Sequence, residues 1–172
     1  WGADAWKPAP GPLATRWAKD VSPASVHPEY PRPQMVRPDW QSLNGLWEFE
    51  IAGPDTPPPF GRTLADRILV PFPIESSLSG VGKRADRVWY RRTFQVPDDW
   101  NGRRVLLHFG AVDWESVVYI NHVEVGRHRG GYDPFTLDIT DALTADEEHE
   151  LVIDVFDPTS DGDQPRGKQV NN

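Results

Sequence analysis

Carboxylates are the side chains of this sequence best suited to chemistry, and among its 26 acidic residues the candidates are two adjacent pairs and one turn. The pairs are Glu147-Glu148 and Asp98-Asp99. Two carboxyl groups act together as acid and base only when a scaffold holds them a fixed distance apart, whereas neighbours on a strand point to opposite faces. The turn Asp161-Gly162-Asp163 offers oxygen ligands for calcium but lacks the ligand pattern of an EF-hand loop. We therefore interpret all three as solvated surface charge.

Metal-binding and thiol chemistry find little support in the sequence. Cysteine is absent, which excludes disulfides and cysteine-ligated metal sites. The five histidines do not have the spacing of metal ligands; they are His27, His108, His122, His128 and His149. We expect neither zinc nor any other metal, and no cofactor.

The charge of the chain argues against two classes of partner. The formal net charge is -8, and nucleic-acid binding requires a basic face. The densest basic group, Lys83, Arg84 and Arg87, is short and includes Asp86. An anionic membrane is disfavoured for the same reason, and no stretch approaches the length of a membrane-spanning helix. Because the chain begins at Trp1, we expect it to be processed or part of a longer product.

The first 38 residues are predicted to form an extended arm. Prolines recur throughout this segment and keep the backbone out of regular ladders. One helical turn is possible around residues 13–18. A disordered linker remains the alternative, although the apolar residues of the arm, Trp17 among them, favour packing on a neighbouring surface.

Residues 39–172 are predicted to form an antiparallel β-sandwich. The 18 prolines and 14 glycines of the chain are scattered, which disfavours long helices and favours short strands joined by turns. Trp47, Phe49 and Ile51 alternate with Glu48 and Glu50, so the two sets face opposite sides of a strand. Similar apolar patterns, seven or eight in all, recur at residues 68–70, 88–96, 104–109, 116–120, 123–125, 135–139 and 151–156. The last has apolar residues on both faces, which indicates a central strand. Asn121-His122, between two of these segments, is predicted to form a hairpin turn, although glycine is the stronger second residue of such a turn.

An ordered set of motifs resembles the N-terminal sugar-binding domain of family 2 glycoside hydrolases, the group of β-galactosidases, β-glucuronidases and β-mannosidases. The motifs are LNGLWEF at 43–49, VPFPIES at 70–76, VWYRRTF at 88–94, HFGAVD at 108–113, VYIN at 118–121, GGY at 130–132 and DIT at 138–140. The resemblance covers roughly residues 37–169. It implies a jelly roll of the galactose-binding type.

The resemblance also implies which chemistry lies elsewhere. Family members are retaining hydrolases whose two glutamates lie in a later (β/α)₈ barrel, reached through an immunoglobulin-like domain. This chain has neither the length nor the strand–helix alternation of a barrel, and no segment resembles the family's acid/base or nucleophile motifs. We therefore predict no catalytic residue in this chain.

Loop residues are the remaining candidates for substrate contact. The resemblance implies that loops of this domain lean over the active site of the barrel, where charged groups can bind sugar hydroxyls or a uronic carboxylate. The polar candidates, all charged except the last, are Glu75, Lys83, Arg84, Asp86, Arg87, Arg166, Lys168 and Gln169. Solvated turns, or contacts to the missing domains, are the alternative. Tyr132 and Trp114 are candidates for stacking on a sugar ring, with core packing as the alternative.

Three functions remain open at this point. The leading hypothesis is a non-catalytic accessory domain of a secreted or periplasmic glycosidase, with carbohydrate and the missing domains as partners. The alternatives are a free-standing lectin-like module and a purely structural docking domain. Relatives continue beyond the segment at 164–169 to a further strand, so we also expect an unpaired edge that favours self-association or lowers stability.

Overall fold

The computed structural model describes residues 6–11, 13–27, 37–162 and 164–165. The candidates Arg166, Lys168 and Gln169, and Asp163 of the acidic turn, lie outside these residues. The described chain is all β, as predicted. Its strands are β1 (Gly45–Ile51), β2 (Asp66–Val70), β3 (Arg87–Phe94), β4 (Leu106–Phe109), β5 (Glu115–Ile120), β6 (Val123–Arg129), β7 (Phe135–Asp138) and β8 (His149–Phe156).

Helical structure in the described residues is limited to single 3-10 turns. They lie at Ala18–Asp20, Ser77–Ser79, Asp98–Trp100 and Thr140–Ala142. Prolines and glycines interrupt the chain too often for a longer helix to extend. A search of the described residues for a helix long and apolar enough to cross a membrane finds none.

The strands form two sheets, which confirms the predicted antiparallel sandwich. The larger has the order β2-β1-β3-β8-β5-β6, and β4 pairs with β7 in the smaller. The pairs β1–β3, β3–β8, β8–β5, β5–β6 and β4–β7 are antiparallel. The chain divides into two compact units, one comprising Trp1–Trp47 and Asp66–Arg84, the other Glu48–Ala65 and Ala85–Asn172.

Strand β8 is central in the second unit, as its two apolar faces predict. It pairs with β3 on one side and β5 on the other, so Ile153 lies opposite both Tyr90 and Val118. The sheet β4–β7 packs closely on the face of the large sheet that carries Ile153 and Val118: a Cβ at Gly126 of β6 would lie 2.5 Å from Leu137 of β7. Glycine is therefore needed where the two sheets approach.

The opposite face of the large sheet is covered by residues 52–65, which we call the covering loop. Leu64 of this loop packs on Trp89 and Val152, and all three are buried. Phe60 adds an edge contact to Tyr119, with ring centroids 5.3 Å apart. Pro59 and Leu64 of this proline-rich loop therefore belong to the core, while most of its other residues are exposed.

In the first unit, residues 6–11, which we call the arm segment, lie against residues 74–82. Ala9 donates its backbone N–H to the Ser77 carbonyl at 2.8 Å, and the Ser77 hydroxyl donates to the Ala9 carbonyl. A Cβ at Gly82 would lie 2.7 Å from the Ala9 side chain. Further along, Trp17 is 60% exposed, although its apolar character suggested packing.

The predicted hairpin at Asn121-His122 is present between β5 and β6. Both residues have positive φ, 48° and 71°. This is the backbone that a two-residue turn between twisted strands requires, and asparagine tolerates it well. The Asn121 side chain stabilises the turn by accepting the Glu150 N–H at 3.0 Å.

Candidate functional site

Three of the predicted site residues, Glu75, Lys83 and Arg84, are exposed on one loop of the first unit. Lys83 donates its backbone N–H to the Ile74 carbonyl at 3.2 Å, so the two ends of the loop meet and Glu75 lies beside Lys83 in the backbone. The buried Ser79 hydroxyl donates to backbone carbonyls and accepts the Val81 N–H at 2.9 Å. These charged side chains therefore extend from a backbone that is fixed by its own hydrogen bonds.

Two more predicted residues, Asp86 and Arg87, begin β3 in the second unit. The Asp86 carbonyl accepts the Asp157 N–H at 2.8 Å. Arg87 holds Asp154 through two hydrogen bonds, at 2.8 and 2.5 Å, and donates a third to the Pro54 carbonyl at 2.5 Å. The hydrogen bond to Asp154 raises the pKa of Arg87 despite the opposing effect of burial. Arg87 thus ties a loop to the sheet, and any sugar contact would use its remaining N–H groups.

Arg87 and Tyr132 lie at the same end of the large sheet, which we call the sheet end. The register places Arg87 opposite Phe156, Phe156 opposite Glu115, and Glu115 opposite Arg129. Adjacent strands are about 4.8 Å apart, so these four positions span about 14 Å. Tyr132 follows Arg129 in the next loop. The structure therefore brings Asp86, Arg87 and Tyr132 to one end of the second unit.

Tyr132 is presented on residues 130–133, the Tyr132 loop, and is 61% exposed. Gly130 has a φ of 141° and donates its N–H to the Trp114 carbonyl at 2.9 Å. A side chain at Gly131 would collide with the Asp113 carboxylate, so the loop lies directly on that group. Core packing therefore does not describe Tyr132, whose ring extends from a fixed backbone towards solvent.

Trp114, the second aromatic candidate, is half-buried. The guanidinium of Arg129 lies 5.9 Å from the centre of its ring, and Arg129 also pairs with Glu115 at 2.7 Å. A cation over the ring occupies a face that a sugar would otherwise use. Of the two aromatic candidates, Tyr132 is the more accessible to a ligand.

The structure contains a charged cluster that the sequence did not predict. Arg91 of β3 donates to Glu48 at 2.9 Å and to Glu150 at 2.6 Å. The backbone of the covering loop donates a further hydrogen bond to each carboxylate: Leu64 donates its N–H to Glu48 at 2.9 Å, and Gly61 donates its N–H to Glu150 at 3.1 Å. We call Glu48, Arg91 and Glu150 the carboxylate–arginine cluster.

The geometry of this cluster is structural rather than catalytic. Burial lowers the pKa of Arg91, but the hydrogen bonds to Glu150 and Glu48 outweigh it, so the net shift is upward. A retaining glycosidase needs two carboxyl groups that face a substrate across a cleft. Here a cation occupies the space between Glu48 and Glu150, so the cluster fastens the covering loop. A pattern of alternating charges on neighbouring strands was its only sequence signal.

Metal binding finds no support in the described residues, where no group of three or more histidines and acids has the geometry to hold an ion. His149, for example, is buried and lies 3.1 Å from the Asn121 amide. Asp161 and Gly162 of the acidic turn are exposed.

Comparison with known proteins identifies the family. The family described as glycosyl hydrolases family 2, sugar binding domain, matches residues 62–164. A β-glucuronidase of Paenibacillus borealis is 34% identical over 137 residues, which cover 72% of this chain and 22% of the relative. A β-galactosidase of Thermoanaerobacter pseudethanolicus is 36% identical over 77 residues, covering 45% of this chain and 10% of the relative.

Solved structures agree with the sequence matches. A β-glucuronidase of Faecalibacterium prausnitzii superposes with a TM-score of 0.58 at 29% identity, covering 67% of this chain and 20% of that enzyme. A Bifidobacterium dentium β-glucuronidase, solved with coumarin-3-O-glucuronide, gives 0.56 at 31% identity and covers 66% and 19%. The chain thus spans at most about a fifth of these relatives. It belongs to the sugar binding domain family of the family 2 glycosyl hydrolases.

Proposed function

We propose that this chain is a non-catalytic sugar-binding and scaffolding domain of a larger family 2 glycoside hydrolase. The observation that carries the proposal is the family match over residues 62–164 in a chain that spans 22% of a β-glucuronidase. The carboxylate–arginine cluster supports it, because Arg91 lies between Glu48 and Glu150. The hydrolytic centre then belongs to the remainder of the parent enzyme, whose other domains are partners of this one.

The sugar-facing groups of the proposal are the predicted loop residues. Tyr132 is the aromatic contact, since an exposed ring on a fixed backbone can stack on the apolar face of a pyranose. Glu75, Lys83 and Arg84 contribute hydrogen bonds to hydroxyls or contacts to neighbouring domains. Asp86 and Arg87 position the sheet end, and Arg166, Lys168 and Gln169 retain the role that the resemblance implies.

Titration calorimetry of the chain with methyl glycosides of galactose, mannose and glucuronic acid tests this function. We expect weak binding of at least one sugar, with a dissociation constant on the order of millimolar, about -4 kcal/mol. Nitrophenyl β-glycosides assayed in parallel should not be hydrolysed. Turnover by the pure chain would overturn the non-catalytic assignment, whereas the absence of heat with every sugar would contradict sugar binding.

A structural docking role is the second candidate, favoured by exposed apolar side chains at the sheet end. Ile51 and Phe156 are 44% and 41% exposed, and they lie opposite Val88 and Arg87 at the start of β3. Because Val88 and Arg87 are neighbours on β3 and point to opposite faces, Ile51 and Phe156 are two separate apolar contacts, each available to a neighbouring protein surface. Self-association of the chain is measured by light scattering: concentration-dependent mass that falls with Phe156→Ser supports it, and a constant monomer mass contradicts it.

A further inference from the structure

The chain contains two Asn-Gly pairs, Asn44-Gly45 and Asn101-Gly102. In such a pair the backbone nitrogen of the glycine can attack the side-chain carbonyl carbon of the asparagine and close a cyclic imide. Glycine permits this attack because it has no Cβ to obstruct the approach or to restrict the backbone. The intrinsic chemistry of the two pairs is alike, so a difference in their reactivity reports the fold around them.

Asn101-Gly102 forms an exposed turn between the 3-10 turn at Asp98–Trp100 and β4. Asn101 has φ -57° and ψ 132°, and Gly102 has φ 74°. These are the angles of a type II turn, with glycine at the position that requires positive φ. Both residues are exposed, and no described atom lies within 4 Å of the position that a Cβ on Gly102 would take.

Both reacting groups of this turn are accessible. Within the part of the chain that the structure describes, the Gly102 N–H donates no hydrogen bond and the Asn101 side-chain amide makes none. Attack requires Asn101 to rotate about ψ, away from 132°, and therefore requires the turn to open. The hydrogen bond from the Arg103 N–H to the Trp100 carbonyl, at 3.0 Å, holds the turn closed. Exposed loops open in this way at almost no cost in free energy.

The other pair, Asn44-Gly45, is protected by the sheet. The side-chain amide nitrogen of Asn44 is buried, and Gly45 is the buried first residue of β1. This strand lies between β2 and β3 in the large sheet. Rotation of the backbone at Asn44 therefore has to displace the start of an inner strand, and such strands open only near global unfolding.

We propose that Asn101 is a site of spontaneous deamidation, a self-modification that consumes only water. The deprotonated Gly102 nitrogen forms a bond to the side-chain carbonyl carbon of Asn101. The carbon–nitrogen bond of the side-chain amide breaks, and ammonia leaves with the proton that the Gly102 nitrogen lost. Water then opens the imide at either carbonyl and yields aspartate or isoaspartate, without an oxidant or a reductant. The product adds a carboxylate between the acidic pair Asp98-Asp99 and the basic pair Arg103-Arg104.

Peptide mapping by mass spectrometry, after incubation of the folded chain at mildly alkaline pH, tests the proposal. We expect Asn101 to deamidate at least about tenfold faster than Asn44, since exposed turns open far more readily than core strands. Unfolding in urea should bring the two rates close together, because the fold then no longer distinguishes the pairs. Equal rates in the folded chain, or a slower rate at Asn101, would overturn the proposal.

Two variants locate the modification. Asn101→Gln keeps the amide but would require a less favourable, larger ring, so the acidic product at this position should disappear while the rate at Asn44 stays unchanged. Asn101→Asp carries the aspartate product from the start and should co-elute on ion exchange with the aged chain. A charge change of the same rate in Asn101→Gln would contradict the assignment to Asn101. Circular dichroism verifies the fold of each variant, and none of these outcomes depends on sugar binding.

Discussion

Arg91 provides the sharpest test of how the second unit is stabilised. Its side chain is 14% exposed, and those of its partners Glu48 and Glu150 are 10% and 11% exposed. Arg91→Met replaces the cation with an apolar chain of similar length and leaves two buried carboxylates without it. Removing one partner of a buried ion pair costs about 3–5 kcal/mol. Since the free energy of unfolding of a domain is about 5–15 kcal/mol, the substitution should remove a large part of the stability.

Urea unfolding followed by tryptophan fluorescence measures this loss directly. In a thermal scan the same loss corresponds to roughly 6–20 °C, at about 2–4 °C per kcal/mol for a domain of this size. Arg127→Met is the matched control. Arg127 pairs with Glu124 at 2.7 Å, but its side chain is 63% exposed, and such surface pairs contribute little to stability because solvent screens them. Arg91 makes two ion pairs and Arg127 makes one, so a loss at Arg91 that is more than twice the loss at Arg127 reports burial rather than the number of ion pairs.

A second substitution separates charge from packing. Glu150→Gln added to Arg91→Met removes one uncompensated charge and keeps an oxygen that can accept the Gly61 N–H. The double variant should therefore be more stable than Arg91→Met alone. The reasoning is refuted if Arg91→Met costs no more than Arg127→Met, or if the double variant is the less stable of the two.

Two further predictions concern other parts of the chain. Hydrogen bonds from the Thr140 hydroxyl, and then from Arg104, lower the pKa of Asp138 from 3.8 to about 2; stabilisation by this carboxylate is therefore complete above pH 3.8 and is lost as the pH falls towards 2. NMR titration should show Thr140→Val raising the Asp138 midpoint more than Arg104→Gln, and a wild-type midpoint near 3.8 would contradict this. In urea, Gly82→Ala should lower the free energy of unfolding more than Gly102→Ala does. At both positions φ is positive, 61° and 74°, so a side chain costs about 1–2 kcal/mol at each. Only the methyl group at position 82 also meets the arm segment. Equal losses would show that this contact contributes nothing.

Local patterns predicted the strands well because sheet burial imposes period two on the sequence. Trp47 and Phe49 are buried within β1, as their alternation indicated. The apolar residues on both faces of β8 correctly placed it between two neighbours. The Asn121-His122 turn was visible because few residues tolerate positive φ. Each of these signals lies within about eight residues along the chain.

Long-range contacts were not accessible from the same patterns. Alternation assigned Glu48 and Glu50 to a face opposite the core, but the covering loop closes over that face and buries Glu48 to 8% exposure. The partners of Glu48 lie 16 and 43 residues away, at Leu64 and Arg91. A single sequence carries no record of such pairings, because polar residues at a solvated face and at a covered face look alike.

The two aromatic candidates show that residue type alone does not determine exposure. Tyr132 and Trp114 were equivalent in the sequence, each beside flexible or acidic residues. Only the register of β5 and β6, which sets Arg129 over Trp114, separates an occupied ring from an accessible one. Exposure, and with it the site assignment, depended on a strand pairing rather than on residue type.

The two features that matter most lie at opposite ends of β8. Glu150 of the carboxylate–arginine cluster is near its beginning and Phe156 of the sheet end is its last residue, a separation of about 20 Å at roughly 3.4 Å per residue. Sites this far apart contribute almost independently to free energy. Under native conditions Arg91→Met should therefore lower stability without altering sugar affinity, whereas Tyr132→Ala should lower sugar affinity without altering stability. Coupling between the two would mean that the covering loop, rather than the sheet, positions the proposed sugar contact at Tyr132.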